Sequence, residues 1–332
     1  MNFKSMKSDA QCVAIQKLVF AKTNPGKKVN DFNPRNCPGE HMREDGILYV
    51  NDICYGDKYP NSHFDIFYPG VDKTKKLPTI IYMHGGGCIF GDKVVGDPLA
   101  ITSGRDVDFC ATLAKKGYIV INVNYALAPE YRFPVQVEQV NQVVGYLLEH
   151  GEELGLDIEN IFLGGSSAGA NLTVLYGMVL SNADYAKAIG IKPCVKKEQI
   201  KGLLIDEAAL DITNFEERMG VMTGCWLGDD NWRESEVVQL MDMSKWIGDA
   251  FIPSFINSSN QEIWFEDSAE TLVRALKANG TEYEYFYRGA ECDVLNHGYM
   301  QQFATNQYAK ECFEHMIAFV QKIINKKCRT SN

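Results

Sequence analysis

Short apolar runs alternate with amphipathic stretches along most of this chain, and that alternation limits its fold more than any other feature. Residues 62–68 and 79–83 read as strands, the second as a buried one. Further strands are expected at 118–123, 160–163, 201–205, 252–257 and 282–288. Between them, helical spacing is expected at 105–116, 135–150, 167–180 and 267–279. In the 135–150 stretch Val137, Val140, Val144 and Leu147 recur on one face. A closing helix carries Tyr308, Cys312, Met316, Phe319 and Ile323. Strands joined by helices imply crossover connections and a mostly parallel sheet with helices on both faces.

Two regions break this rhythm. Residues 1–45 hold one helix-like stretch (Cys12, Ile15, Val19) and then a run rich in Pro, Asn and Gly, and residues 212–250 contain Trp226, Trp232 and Trp246. Such extra segments are expected to fold together over the carboxyl edge of the sheet, where open α/β proteins bind ligands. The expected organisation is an N-terminal cap segment at 1–45 and a main domain at 46–328 interrupted by a cap insertion at 212–250.

Composition excludes several classes of function. There are 33 basic and 43 acidic side chains among 332 residues, a formal charge of −10, so a non-specific nucleic-acid binder is not expected. The first thirty residues contain six lysines and no long apolar run, so no secretory signal is expected. No stretch approaches the apolar length of a membrane helix, so stable membrane insertion is not expected either. Ten cysteines without a C-x-x-C pair suit free thiols in a reducing, cytoplasmic setting.

Chemistry enters at residues 160–171, NIFLGGSSAGAN. Gly165, Ser166, Ser167, Ala168 and Gly169 satisfy G-x-S-x-G directly after an apolar strand, which makes Ser167 the candidate nucleophile. A serine on so sharp a turn needs small neighbours, and the first amides of the following helix face whatever occupies it. His84-Gly85-Gly86-Gly87 follows the strand at 79–83. Consecutive glycines leave backbone amides able to approach a substrate oxygen, so Gly85, Gly86 and Ala168 are the candidate oxyanion-hole donors. A phosphate loop is the rival reading, but neither G-x-x-x-x-G-K-[ST] nor a helix-opening G-x-G-x-x-G is present here.

Of six histidines, only His297 follows the last expected strand, in the loop before the closing helix, and it is the candidate base. His84 is expected to shape the glycine loop. The acid is left open by the sequence. Glu262 is the first carboxylate after the strand at 252–257, Asp267 belongs to the first turn of the next helix, and Asp293 shares the loop of His297.

Together these motifs resemble the hormone-sensitive-lipase-like family of α/β-hydrolase carboxylesterases. The resemblance rests on His84-Gly85-Gly86-Gly87, on Asn124–Glu130 with Tyr131–Pro134, and on Gly165–Asn171. It covers roughly residues 47–325. Ala126 stands where the family commonly has arginine, and Ser166 where it often has aspartate. The family's placement of the acid, counted from Ile252-Pro253, reaches Glu262, and counted back from the next helix it reaches positions including Asn260. The resemblance implies an α/β-hydrolase fold and a serine carboxylesterase acting on short-chain acyl esters, acetyl esters among them. It implies the triad Ser167, His297 and Glu262, a small-molecule ester as partner, and no metal or organic cofactor; a homodimer is compatible with it. With a neutral imidazole as base, activity is expected to fall below about pH 6.5. An amide hydrolase on the same residues and a non-catalytic ligand receptor are the alternatives.

Overall fold

The computed structural model describes residues 6–23, 28–31, 39–93, 106–210, 212, 215–261, 268–289 and 292–330. Among these, nine strands form one sheet in the order β1-β2-β3-β5-β4-β6-β7-β8-β9. The first three, β1 (Glu40–Met42), β2 (Leu48–Cys54) and β3 (His63–Tyr68), are antiparallel, and β3 pairs antiparallel with β5 (Ile119–Val123). From β5 onward every pairing is parallel, through β4 (Leu77–Met83), β6 (Leu156–Ser166), β7 (Ile200–Asp206), β8 (Ser254–Asn257) and β9 (Tyr283–Phe286). A parallel sheet has no solvated face, which is why β5 reads IVINV and is buried at every position.

Two apolar layers enclose the sheet. One gathers α3 (Val135–His150), α4 (Ala168–Ser181), Tyr185 of α5 (Ala183–Ala188), Met243 of α7 (Met243–Trp246) and the α8 (Ser268–Ala278) residues Leu272 and Leu276. The other gathers α2 (Asp106–Lys115) and α9 (Gln307–Thr330), with Phe109, Phe313 and Phe319 at its centre. The mostly parallel sheet covered on both faces is therefore as expected.

The N-terminal helix α1 (Lys7–Thr23) packs on α6 (Glu217–Leu227), which lies within the 212–250 stretch. The amides of Lys7 and Ser8 donate to Asp230 at 2.8 and 3.0 Å, and Arg132 pairs with Asp9 at 2.7 Å. Trp226 and Trp232 are buried there, their indole N–H groups satisfied by Gln136 and the Gly220 carbonyl. Among the described residues no helix is long and apolar enough to cross a membrane.

Candidate active site

Ser167 is the residue between β6 and α4, and its backbone sits at φ 53°, ψ −115°, a conformation that costs a non-glycine residue energy. The cost is met by close neighbours on all sides. Ser167 N donates to Asp206 O at 2.8 Å, and Ser167 O accepts the Asn171 amide at 2.9 Å. A Cβ on Gly169 would lie 2.0 Å from Met83 O, and one on Gly165 2.5 Å from the Gly169 carbonyl carbon. Only small residues fit this turn, as its sequence anticipates.

The glycine loop lies against that serine. A Cβ built on Gly85 would stand 3.3 Å from Ser167 Cβ. Gly86 adopts φ +110°, and a side chain there would strike Phe90 O at 2.1 Å, so this position tolerates glycine alone. Its carbonyl accepts Ile89 N and Phe90 N, both at 3.1 Å, which closes a tight turn. Among the described residues the amides of Gly85 and Gly86 donate to no backbone carbonyl outside strands and helices. His84 is fully buried and stacks on Tyr125 at 4.2 Å between ring centres. Its Nε2 lies 3.1 Å from Asn124 Oδ1 and its Nδ1 2.7 Å from Gly85 O, so it holds the loop. Burial pushes its pKa down to about 4.

His297 lies in the loop after β9 and is 8% exposed. Its Nδ1 is 3.1 Å from Oε2 of Glu207, a residue that sequence reasoning passed over. Glu207 directly follows β7, at φ 55° and 2% exposure, and also accepts the Gly298 amide. Its strained backbone is held on both sides. Glu207 N donates to Asn257 O at 3.1 Å, while the Asn171 side chain accepts Ala209 N at 2.6 Å and donates to Ala209 O at 3.0 Å. Asp206 beside it is buried, and that burial raises its pKa against the lowering effects of Asn257, Ser166 and His297. One signal pointed to this acid: Asp206-Glu207 closes the apolar run of β7, and two carboxylates entering a core demand partners.

Glu262 and Asp267 lie outside the described residues. Asp293 is described and exposed, and its carbonyl accepts the Asn260 amide at 3.0 Å. Asn260, which one count from the family pattern reaches, organises the loop leading to His297. Its Nδ2 also donates to Gly289 O at 3.1 Å, and its Oδ1 accepts Leu295 N at 2.8 Å. The histidine's Nδ1 therefore faces a carboxylate from the end of β7, one strand earlier than counting from β8 suggests.

A cavity of about 30 Å³ opens beside Ser167 and Ala168. Gly87, Ile212 and Phe215 line it together with Met222 and Trp226 of α6. Among the described residues no group of three His, Cys, Asp or Glu side chains is arranged to hold a metal ion.

The fold agrees with what the chain is similar to. The family model BD-FAE matches residues 64–268. An arylacetamide deacetylase from Oryctolagus cuniculus is 37% identical over 103 residues, 30% of this chain and 24% of that protein. An acetyl esterase from Salmonella dublin is 26% identical over 240 residues, 68% of each chain. In several curated relatives the match spans only 24–34% of the relative's length. Among solved structures, esterase B from Lactobacillus rhamnosis superposes with a TM-score of 0.77 at 19% identity, covering 98% of this chain and 99% of the other. The same esterase inhibited by a tributyrin phosphonate gives 0.74 at 18% identity, over 97% and 94%. A fungal esterase from Rhizomucor miehei gives 0.68 at 17% identity, over 98% and 100%. These structures share the α/β-hydrolase fold of the present chain.

Proposed function

The chain belongs to the BD-FAE family of α/β-hydrolases, and from that premise we propose that it is a serine carboxylesterase acting on short-chain acyl esters. Ser167 attacks the ester carbonyl while His297 takes its proton, and Glu207 holds the imidazole in the required tautomer and stabilises its charge. The developing oxyanion is met by the amides of Gly85, Gly86 and Ala168. His297 then protonates the departing alcohol and activates water to release the acyl group. The observation that carries this reading is the 3.1 Å contact between His297 Nδ1 and a buried glutamate at the edge where the strained Ser167 turn also sits.

In this reading α1 and the 212–250 stretch act as a cap that shapes the acyl pocket. The small cavity of about 30 Å³ beside Ser167 favours a short acyl group such as acetyl. Similarity to an acetyl esterase supports the same acyl size. The ester is a small molecule and the expected setting is cytoplasmic.

Similarity to an arylacetamide deacetylase favours a second reading, amide hydrolysis by the same residues. Hydrolysis of p-nitrophenyl acetate, butyrate and octanoate beside p-nitroacetanilide separates the two. The proposal expects acetate above octanoate, ester above anilide, and no turnover by Ser167→Ala. Full activity in that variant contradicts it.

A further inference from the structure

The loop that carries Gly85 and Gly86 runs through positive φ at three consecutive residues, +110° at Gly86, +61° at Gly87 and +58° at Cys88, of which only Cys88 carries a side chain. A non-glycine residue stays in that region only where its surroundings over-determine it. Some restraints come from within the loop, from Ile89 N and Phe90 N to Gly86 O. Another comes from the neighbouring Ala128, whose amide donates to Cys88 O at 2.9 Å. His84 and Tyr125 hold the carbonyls at its start, and a further restraint comes from outside the sheet. Gln16, on α1 and 3% exposed, extends its Nε2 to Ile89 O and to Ala128 O, both at 2.6 Å. A side-chain amide has two N–H donors, and this one uses both on two buried carbonyls. It thereby joins the oxyanion loop to the segment that already holds Cys88, closing the turn from its far side.

We infer that Gln16 is a positioning residue for the oxyanion hole: its two hydrogen bonds set where the Gly85 and Gly86 amides stand relative to Ser167. The inference rests on the serine-esterase reading above and adds to it a part for the N-terminal helix in turnover. Losing the clamp leaves substrate binding in the α6-lined pocket intact and displaces donors that matter only once negative charge develops, so it lowers kcat and spares KM.

The test compares the full chain with Gln16→Leu, which keeps the volume and removes both donors, and with Gln16→Asn, whose shorter amide reaches one carbonyl at most. Asp9→Asn, which weakens the Arg132 pairing of the same helix elsewhere, serves as the control. With p-nitrophenyl acetate, Gln16→Leu is expected to lose about 10–100-fold in kcat with KM within about twofold, because small misplacements of preorganised groups cost on that scale. Affinity for an alkyl boronic acid, whose tetrahedral adduct occupies the oxyanion hole, falls by the same factor. Gln16→Asn is intermediate, and Asp9→Asn loses thermal stability while keeping kcat. Hydrogen exchange across residues 85–91 quickens in both Gln16 variants.

An unchanged kcat in a folded Gln16→Leu overturns the inference, as does a rise in KM alone, which makes Gln16 part of the pocket wall. If Gln16→Leu does not fold, a wild-type kcat in Gln16→Asn overturns it equally. If the wild type hydrolyses no ester, the esterase reading fails by itself, and hydrogen exchange still decides the clamp: unaltered exchange at 85–91 sinks it.

Discussion

A carboxylate that leaves water beside an imidazole needs more than one donor, and among the described residues Glu207 meets His297 Nδ1 and the Gly298 amide. Glu207→Gln places an amide opposite the ring and favours the wrong tautomer, so kcat is expected to fall by about 10²–10⁴-fold with the fold preserved. Glu262→Gln is expected to leave kcat within about twofold, since in the proposed mechanism Glu207 holds the imidazole. The reverse order of effects in steady-state kinetics contradicts the assignment. At this scale the serine and histidine proposed for the reaction could be singled out in the sequence because each stands at a break in periodicity. Glu207 was not singled out, because strands adjacent in space lie about fifty residues apart in sequence, and counting from β8 never reaches the end of β7. His84 adds a pH effect of its own. The unfolded chain takes up a proton near the ordinary value of 6.5, whereas the buried ring resists until about 4. Native stability from this group is therefore present above 6.5 and declines as pH falls toward 4, by on the order of 3 kcal/mol. Urea unfolding at pH 7 and pH 5 should show a larger loss for the wild type than for His84→Gln, and equal losses would remove His84 as the cause.

Helix α6 and the start of α4 line the cavity beside Ser167. A Cβ on Gly87 would lie 2.0 Å from Met222 Cε, so the tip of that methionine closes over the glycine loop. Met222→Ala is expected to open the cavity and move the preference among p-nitrophenyl esters from acetate toward butyrate and hexanoate. A chain-length profile identical to the wild type contradicts the placement of the acyl group there. The helices and parallel strands were readable to within a few residues, as at β5 and α8, because buried strands and amphipathic helices carry their periodicity in the residue types. The antiparallel edge was less so. β1 is three residues with two exposed, and β2 is irregular between Val50 and Ile53, where Asp52 turns to φ 61° and breaks the alternation. The 212–250 stretch showed only its tryptophans, since short 3-10 turns leave no lasting period.

Across the whole molecule, the antiparallel edge is tied to the glycine loop by a buried ion cluster. Lys93, 1% exposed, meets Asp52 at 2.6 Å and Asp65 at 2.7 Å, and Asp65 also accepts Tyr49 Oη at 2.6 Å. Asn122 donates to the Lys93 carbonyl at 2.7 Å, so the same residue fastens the end of the loop to β5. Lys93→Met leaves two carboxylates inside without their cation, and urea denaturation is expected to show a loss of about 3–5 kcal/mol. A variant as stable as the wild type would mean the cluster contributes little to holding β2 and β3 together. In the proposed mechanism the sheet, its two apolar layers and the helical cover serve one purpose, to hold the strained Ser167, the paired His297 and the glycine loop at one edge. The measurement that tests this most directly is mass spectrometry after treatment with a p-nitrophenyl alkylphosphonate. The account predicts one phosphonyl group per chain, on Ser167, with loss of esterase activity in step and no labelling of Ser167→Ala. Labelling at another residue, or hydrolysis that survives complete labelling of Ser167, would contradict it.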